Sequence, residues 1–373
     1  MDNLKFDRFK MKKDKKKLVF TVINDLSSDR RMHRICTSLS FHFHVTLVGR
    51  KLPNSIELED FAFNQKRLYC FFRKGFCFYI EYNVRLFFYL LFSSFDVYGA
   101  VDLDTILPNK IVANLLRKPW VYDAHEYFTE VIEVQNRHLV KKIWKRIERF
   151  CLDANTKAYT VSESIAAIFK TEYGSDFKLI RNCPPIKELP TEQKFDAFTF
   201  VYVGAVNKGR GLEECIKAID GLDAQLLICG DGDVLTELIH NLPLHQQKQV
   251  TFTGFLSPNA LEAKIAKSHV GLLLLQAESL SYYYSLANKF FDYVQAEIPQ
   301  ITIDFPEYKK LNDQFEVALL SSIEVEQIRS KMTQIIQNKE MYTSLVGNTK
   351  LAKHHWCWQN EEQKLFDFYK HLL

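Results

Sequence analysis

Short, uninterrupted apolar runs, each followed by a polar turn and a stretch with helical spacing, recur along the whole chain. Residues 18–23 (LVFTVI), 44–49, 96–102 and 119–126 are of this kind, and 157–162 and 177–181 follow. A strand that is apolar at successive positions is buried on both faces, as in a parallel sheet covered by helices. The turn after the first run, NDLSSD at 24–29, is rich in helix N-cap residues. This is β-α-β at the spacing of a doubly wound sheet. At 182–190 the composition changes to NCPPIKELP, which reads as a linker. A second series then begins, with apolar runs at 198–204, 224–229, 250–255, 270–275, 300–303 and 317–320. The pattern predicts a basic tail (1–17), an α/β half (18–183), a linker (184–197), a second α/β half (198–350) and a helical end (351–373).

Composition narrows the function classes. The 373 residues are 47% hydrophobic and 25% charged, enough to bury two ordinary cores. A net charge of +4 leaves no electrostatic footprint for nucleic acid. Residues 1–17 carry eight Lys/Arg but lead into only six apolar residues, so no signal peptide is predicted. The longest uncharged apolar run in the section that follows, 86–95, is half of the roughly 20 residues a spanning helix needs. Eight scattered cysteines without a CxxC read as buried thiols of a reducing cytosol. The first turn lacks GxGxxG, which argues against a nicotinamide or flavin site. Residues 61–95 are dense in aromatics with Arg67, Arg73, Lys74 and Arg85 interleaved. They read either as a pair of core helices or as a membrane-interface segment. The basic helix expected at 139–151 reads as a solvated face or as a contact for anionic lipid.

Three stretches carry chemistry. In SLSYYYSLANKFFDYVQAEIPQ (279–300), Ser285, Asn288 and Lys289 stand where a helix would begin. Free N–H groups and a partial positive charge there suit phosphate. Asp292, one turn in, can accept hydrogen bonds from two hydroxyls, as of a ribose. Taken alone, these residues read equally as an amphipathic helix with a solvated acid. The loop AVNKGRG (205–211) sets Lys208 and Arg210 among glycines at a strand-to-helix turn, which favours phosphate over a plain surface turn. His125 and Glu126 end a strand, and ligands of open α/β sheets bind beyond the carboxyl ends.

Taken in order, NDLSSDRRMHR, VYDAHE, AYTVSESIA, LIRNCPP, YVGAVNKGRGLEE, ICGDGD, VTFTGF and SLANKFFDYVQAEIP resemble the retaining glycosyltransferases of family 4 over roughly residues 18–370. The resemblance implies the GT-B fold: two Rossmann-like domains facing across a cleft, the last helix crossing back to the first. It places a nucleoside diphosphate sugar on the second domain and the acceptor on the first. Arg210 then meets the diphosphate with Lys208, Asn288 and Lys289, and Asp292 holds the ribose. Gly254 and Phe255 line the base, and Tyr284, Ser285 and Leu286 the donor sugar. His125 and Glu126 act at the transferred sugar, with Asp29, Arg30, Asp102 and Asp104 on the acceptor side. The chain departs from the family's pattern in three places. Tyr284 stands at the first acid of Glu-x7-Glu, Asp292 replaces the second Glu, and Ala205 stands where many relatives carry Arg. Lys208, Lys289 or Arg210 can supply that missing charge.

The expected activity is sugar transfer with retention to a sugar or lipid-linked glycan, in polysaccharide or lipopolysaccharide assembly. No cofactor or metal is expected, and Asp102-Leu-Asp104 lies in the acceptor half. The expected place is the cytoplasm, in peripheral contact with the anionic inner face of a membrane. A nucleotide-sugar 2-epimerase of the same architecture and a catalytically silent, membrane-associated nucleotide-binding protein are the alternatives.

Overall fold

The computed structural model describes residues 15–188 and 193–372. The basic tail before residue 15 and positions 189–192 of the expected linker lie outside the described residues.

Two parallel sheets dominate. The first is built of β1 (Lys17–Thr21), β2 (His44–Lys51), β3 (Asn64–Tyr69), β4 (Val97–Val101), β5 (Trp120–Ala124), β6 (Ala158–Thr160) and β7 (Lys178–Leu179). Their order is β3-β2-β1-β4-β5-β6-β7. The second holds β8 (Thr199–Val203), β9 (Gln225–Cys229), β10 (Val250–Gly254), β11 (Val270–Leu273), β12 (Gln300–Ile303) and β13 (Ala318–Ser321), in the order β10-β9-β8-β11-β12-β13. In both, the strand order reverses beside the first strand, which opens a crevice at the carboxyl ends.

The helices of the first series are α1 (Arg30–Ser40), α2 (Gly75–Phe92), α3 (Ile106–Leu116), α4 (Ile132–Gln135), α5 (His138–Cys151) and α6 (Glu163–Tyr173). Residues 61–95 are therefore not a pair of helices. Asn64–Tyr69 pairs with β2, and Gly75, at φ +76°, opens the single helix α2. Phe78, Tyr82, Leu86 and Leu90 of α2 pack on Val19 of β1 and Tyr98 of β4, and the Tyr82 hydroxyl donates to the Val22 carbonyl.

The second series holds α7 (Leu212–Ile219), α8 (Leu235–His240), α9 (Pro258–Lys267), α10 (Leu280–Tyr283), α11 (Asn288–Gln295) and α12 (Pro306–Phe315). Then come α13 (Val325–Gln337), α14 (Lys339–His355) and α15 (Trp358–Lys370). Alternate residues serve opposite cores, as a doubly covered sheet requires. Val201, Val203 and Leu273 meet Phe290, Phe291 and Trp356 on one face. Phe200, Tyr202 and Leu272 meet Leu212 and Met332 on the other.

The chain forms two compact units. One runs up to His125 and takes in Arg146–Ala158; the other takes in Glu126–Lys145 and Tyr159–His371. Contacts inside the second explain why those early segments belong to it. Gln135 Nε2 donates to the Glu278 carbonyl (2.8 Å), and Ser162 Oγ to that of Tyr284 (3.0 Å). Phe368 and Tyr369 of α15 lie edge-on to Tyr159. Glu307, buried at the start of α12, accepts from the backbone of Glu163 (3.1 Å) and Ser164 (2.9 Å) and from Ser164 Oγ (2.6 Å). It thereby satisfies the first free amides of α6. Glu307→Ala should cost about 2 kcal/mol, the penalty for orphaning buried donors, read as a lower urea midpoint with unchanged slope.

Candidate functional site

Helix α11 is fixed to the second sheet by Tyr293. Its hydroxyl reaches the Leu272 carbonyl (3.0 Å), the Val201 carbonyl (3.2 Å) and the Val203 amide (3.3 Å), on the two strands that part at the reversal. Its ring lies against Gly271, where a Cβ would collide with it. The first turn of α11 is thereby held beside the end of β8.

There the chain turns through Gly204 (φ +121°). Gly230 passes so close that a Cβ on it would strike the Gly204 carbonyl. Gln276 N donates to Gly209 O (2.9 Å), tying the 205–211 loop to the chain beyond β11. Arg210 lies over the Tyr282 ring (5.0 Å) and donates to its hydroxyl (3.3 Å). Its Nε is buried with no hydrogen-bond partner among the described residues. Lys208 points to solvent. Lys289 projects back from α11, its Nζ 3.9 Å from the Tyr202 ring centroid and beside Gly204. Burial lowers its pKa to about 7; Arg210 pushes the same way and Asp292 opposes. No carboxylate lies within 4 Å of either Arg210 or Lys289 among the described residues. The structure thus brings Arg210, Lys289 and half-buried Asp292 to one end of one loop.

The other expected residues divide. Asn288 is exposed, its side chain held by Asn182 (2.8 Å). The Tyr284 carbonyl is taken by Ser162, and Ser285 Oγ donates to the Tyr282 carbonyl (2.8 Å). Leu286 is a core residue. Gly254 (φ +66°) turns the chain so that Phe255 stands 82% exposed, a free face for stacking. An open pocket of about 650 Å³ lies at the carboxyl ends of β11, β12 and β13, lined among others by Glu278, Tyr283, Asp304, Phe305 and Ser322.

A second cluster lies in the first unit. His125 Nε2 meets Asp123 (3.0 Å), its Nδ1 is 3.5 Å from Asp102, and its amide donates to Asp102 (2.8 Å). Arg31 closes the set with a buried ion pair to Asp123 (3.0 Å). Asp102 adopts φ +54°, a region costly for a residue with a Cβ. Burial pushes the His125 pKa down, but Asp123 and Asp102 outweigh it and hold it above 6.5. Burial of Asp123 is likewise outweighed, by Arg31 and His125, and its pKa is lowered; that of Asp102 is raised by burial. Of the expected acceptor-side residues, only Asp102 touches His125. Asp29 caps α1 through the Met32 amide (3.0 Å), Arg30 is exposed and Asp104 is buried. Half-buried Glu126 follows in the chain. Sequence reading missed Arg31 and Asp123. The signal for Arg31 was present, since it falls on the same helix face as buried Ile35, Ser38 and Leu39.

Residues 187–352 match the family described as Glycosyl transferases group 1. That stretch, a little under half of the chain, is therefore similar to the group 1 glycosyl transferases. Solved structures extend the likeness over nearly the whole length. Sucrose-phosphate synthase from Thermosynechococcus elongatus is 14% identical with TM-score 0.76, covering 96% of this chain and 99% of its own. HepE from Anabaena, solved with UDP, is 12% identical with TM-score 0.71, covering 95% and 100%. WaaG, involved in lipopolysaccharide biosynthesis, is 14% identical with TM-score 0.65, covering 93% and 98%. No curated protein matches the sequence. With its two doubly wound sheets, the chain has the GT-B fold of these neighbours.

A His whose folded pKa is raised stabilises the fold fully below 6.5, and that contribution is lost as pH rises through the folded value. NMR titration of the His125 ring should give a midpoint above 6.5, and Asp123→Asn should move it down. A midpoint at or below 6.5 would show that burial outweighs the two carboxylates.

Proposed function

We propose that the chain moves a sugar from a nucleoside diphosphate sugar to an acceptor hydroxyl, with retention. The carrying observation is the pair Arg210 and Lys289, two cations with no ion-pair partner among the described residues at the mouth of a glycine-bearing loop, with Asp292 one turn away. In this reading the diphosphate lies across Gly204 and the loop, the ribose hydroxyls on Asp292, and the base against Phe255. HepE, which has the same fold, has been solved with UDP-glucose, which supports a uridine donor.

In the transfer, the bond from the anomeric carbon to the diphosphate oxygen breaks and one to the acceptor oxygen forms. The acceptor's proton passes to the departing diphosphate. Arg210 and Lys289 offset the charge that grows on the leaving group, in place of a metal ion, an effect worth a few kcal/mol per donor. His125, both of whose ring nitrogens face carboxylates, acts at the transferred sugar through the Asp102 and Asp123 cluster that it holds in place, and Glu126 stands next to it. The acceptor is a sugar or a lipid-linked glycan of surface polysaccharide or lipopolysaccharide assembly, met at the cytoplasmic face of a membrane. Tyr284 at the first-acid position favours one rival, a nucleotide-binding protein without turnover.

The test is thermal unfolding against UDP, GDP, ADP and CMP. A ligand at about 100 times its dissociation constant adds roughly 2.7 kcal/mol, a visible shift. One nucleoside diphosphate should shift the transition, and Arg210→Ala or Asp292→Ala should each cut turnover at least about tenfold. A shift without turnover on any donor and acceptor selects the rival, and no shift at all sinks both. Lys289 adds a pH signature. Its free pKa of about 7 rises once a diphosphate is beside it. UDP-glucose affinity should therefore be flat below neutrality and fall as pH climbs above about 7, by up to about tenfold per unit. Lys289→Met should weaken binding and flatten the profile, as titration calorimetry would show.

A further inference from the structure

Helix α2 is apolar on two opposite faces. One is core, with Phe78, Tyr82, Leu86 and Leu90 buried. The other turns Phe76, Ile80, Val84, Phe88 and Phe92 to solvent, each between 47% and 81% exposed. These five positions fall four apart, so neighbours touch along a single stripe about 24 Å long. The Phe88 and Phe92 rings stack at 6.2 Å at the surface. Phe71 and Phe72 continue the stripe ahead of the helix. Both of their amides donate to Glu81 (2.9 Å each), which holds that approach against α2. Single exposed apolar residues are ordinary, but a contiguous stripe marks a contact surface.

The charges on this face decide what it contacts. Glu81 is the only acid of α2, and it is taken up by Arg85 (2.8 Å) and those two amides. Arg85 lies over the Phe71 ring at 5.2 Å. Arg73 and Lys74 are exposed where the helix begins. The rim is therefore cationic and carries no free carboxylate from the helix. A second copy docking by a two-fold axis would present only these same cations, with no acid from α2 to meet them. Aromatic rings flanked by uncompensated cations match the interface of an anionic bilayer, where the rings enter the headgroup layer and the cations meet lipid phosphates. No helix among the described residues is long and apolar enough to cross a membrane.

We propose that α2 is a membrane-docking surface, lying flat on an anionic bilayer with the Phe76-to-Phe92 stripe in the interfacial layer. The proposal rests on the lipid-linked acceptor of the glycosyl-transfer reading for its purpose, but its test needs no donor. The full chain should float with phosphatidylcholine vesicles containing phosphatidylglycerol at low salt, and far less with phosphatidylcholine alone. Phe88→Ser with Phe92→Ser should cut that binding at least tenfold while thermal unfolding and the nucleotide response stay as in wild type, since neither ring supports the core. Arg73→Glu with Lys74→Glu should weaken binding on anionic vesicles only. Absence of flotation, or undiminished flotation of the Phe variant, overturns the proposal. So does a concentration-dependent dimer that the Phe variant abolishes, which would assign the stripe to a second copy.

Discussion

The hydroxyl of Tyr293 holds the start of α11 in place against the second sheet. A doubly wound sheet opens a crevice where its strand order reverses, but an open crevice does not place a side chain. Tyr293 bonds to β8 and β11 on either side of that opening and fills the space left by Gly271. It sits one turn beyond Lys289 and follows Asp292, so both are positioned by a residue that is itself fully buried. Side chains supported by packed, hydrogen-bonded neighbours keep their geometry far better than side chains on free loops.

The two charged clusters differ in kind. His125 is enclosed by partners of opposite sign, with Arg31 behind Asp123, so its charge is set by the protein. Lys289 has an aromatic face beneath it and another cation nearby, so its charge depends on what arrives. Preorganised charge suits a group that orients a substrate throughout the reaction. A responsive one suits a group that must grip an anion and later release it.

Most of this architecture was legible in the sequence. The apolar runs gave the strands because burial on both faces removes the polar alternation that would blur them. Helix α11 and the 205–211 loop stand where their residues pointed. The segment 61–95 misled because NQKRLY, an edge strand, carries little apolar signal and the aromatics around it drew attention to helices. The burial of Arg31 could be read from its helix face, but its pairing with Asp123 could not. A buried ion pair is made by residues 92 apart in the chain, and no local spacing reports it. Leu286, grouped by proximity with the donor-sugar loop, turned inward because apolar side chains beside a helix start commonly join the core.

The carboxyl edge of the second sheet has a polarity of its own. Arg210 and Lys289 stand over the end of β8, and Glu278, packed against Gly209 of the same loop, is shared with a neighbouring pocket beyond β11 to β13 that Asp304 also borders and whose lining holds no basic side chain. An anionic group is drawn to the two cations and repelled by the carboxylates that border them. The field alone therefore confines negative charge to the β8 side of this edge before any hydrogen bond forms, leaving the acidic pocket to uncharged or cationic groups.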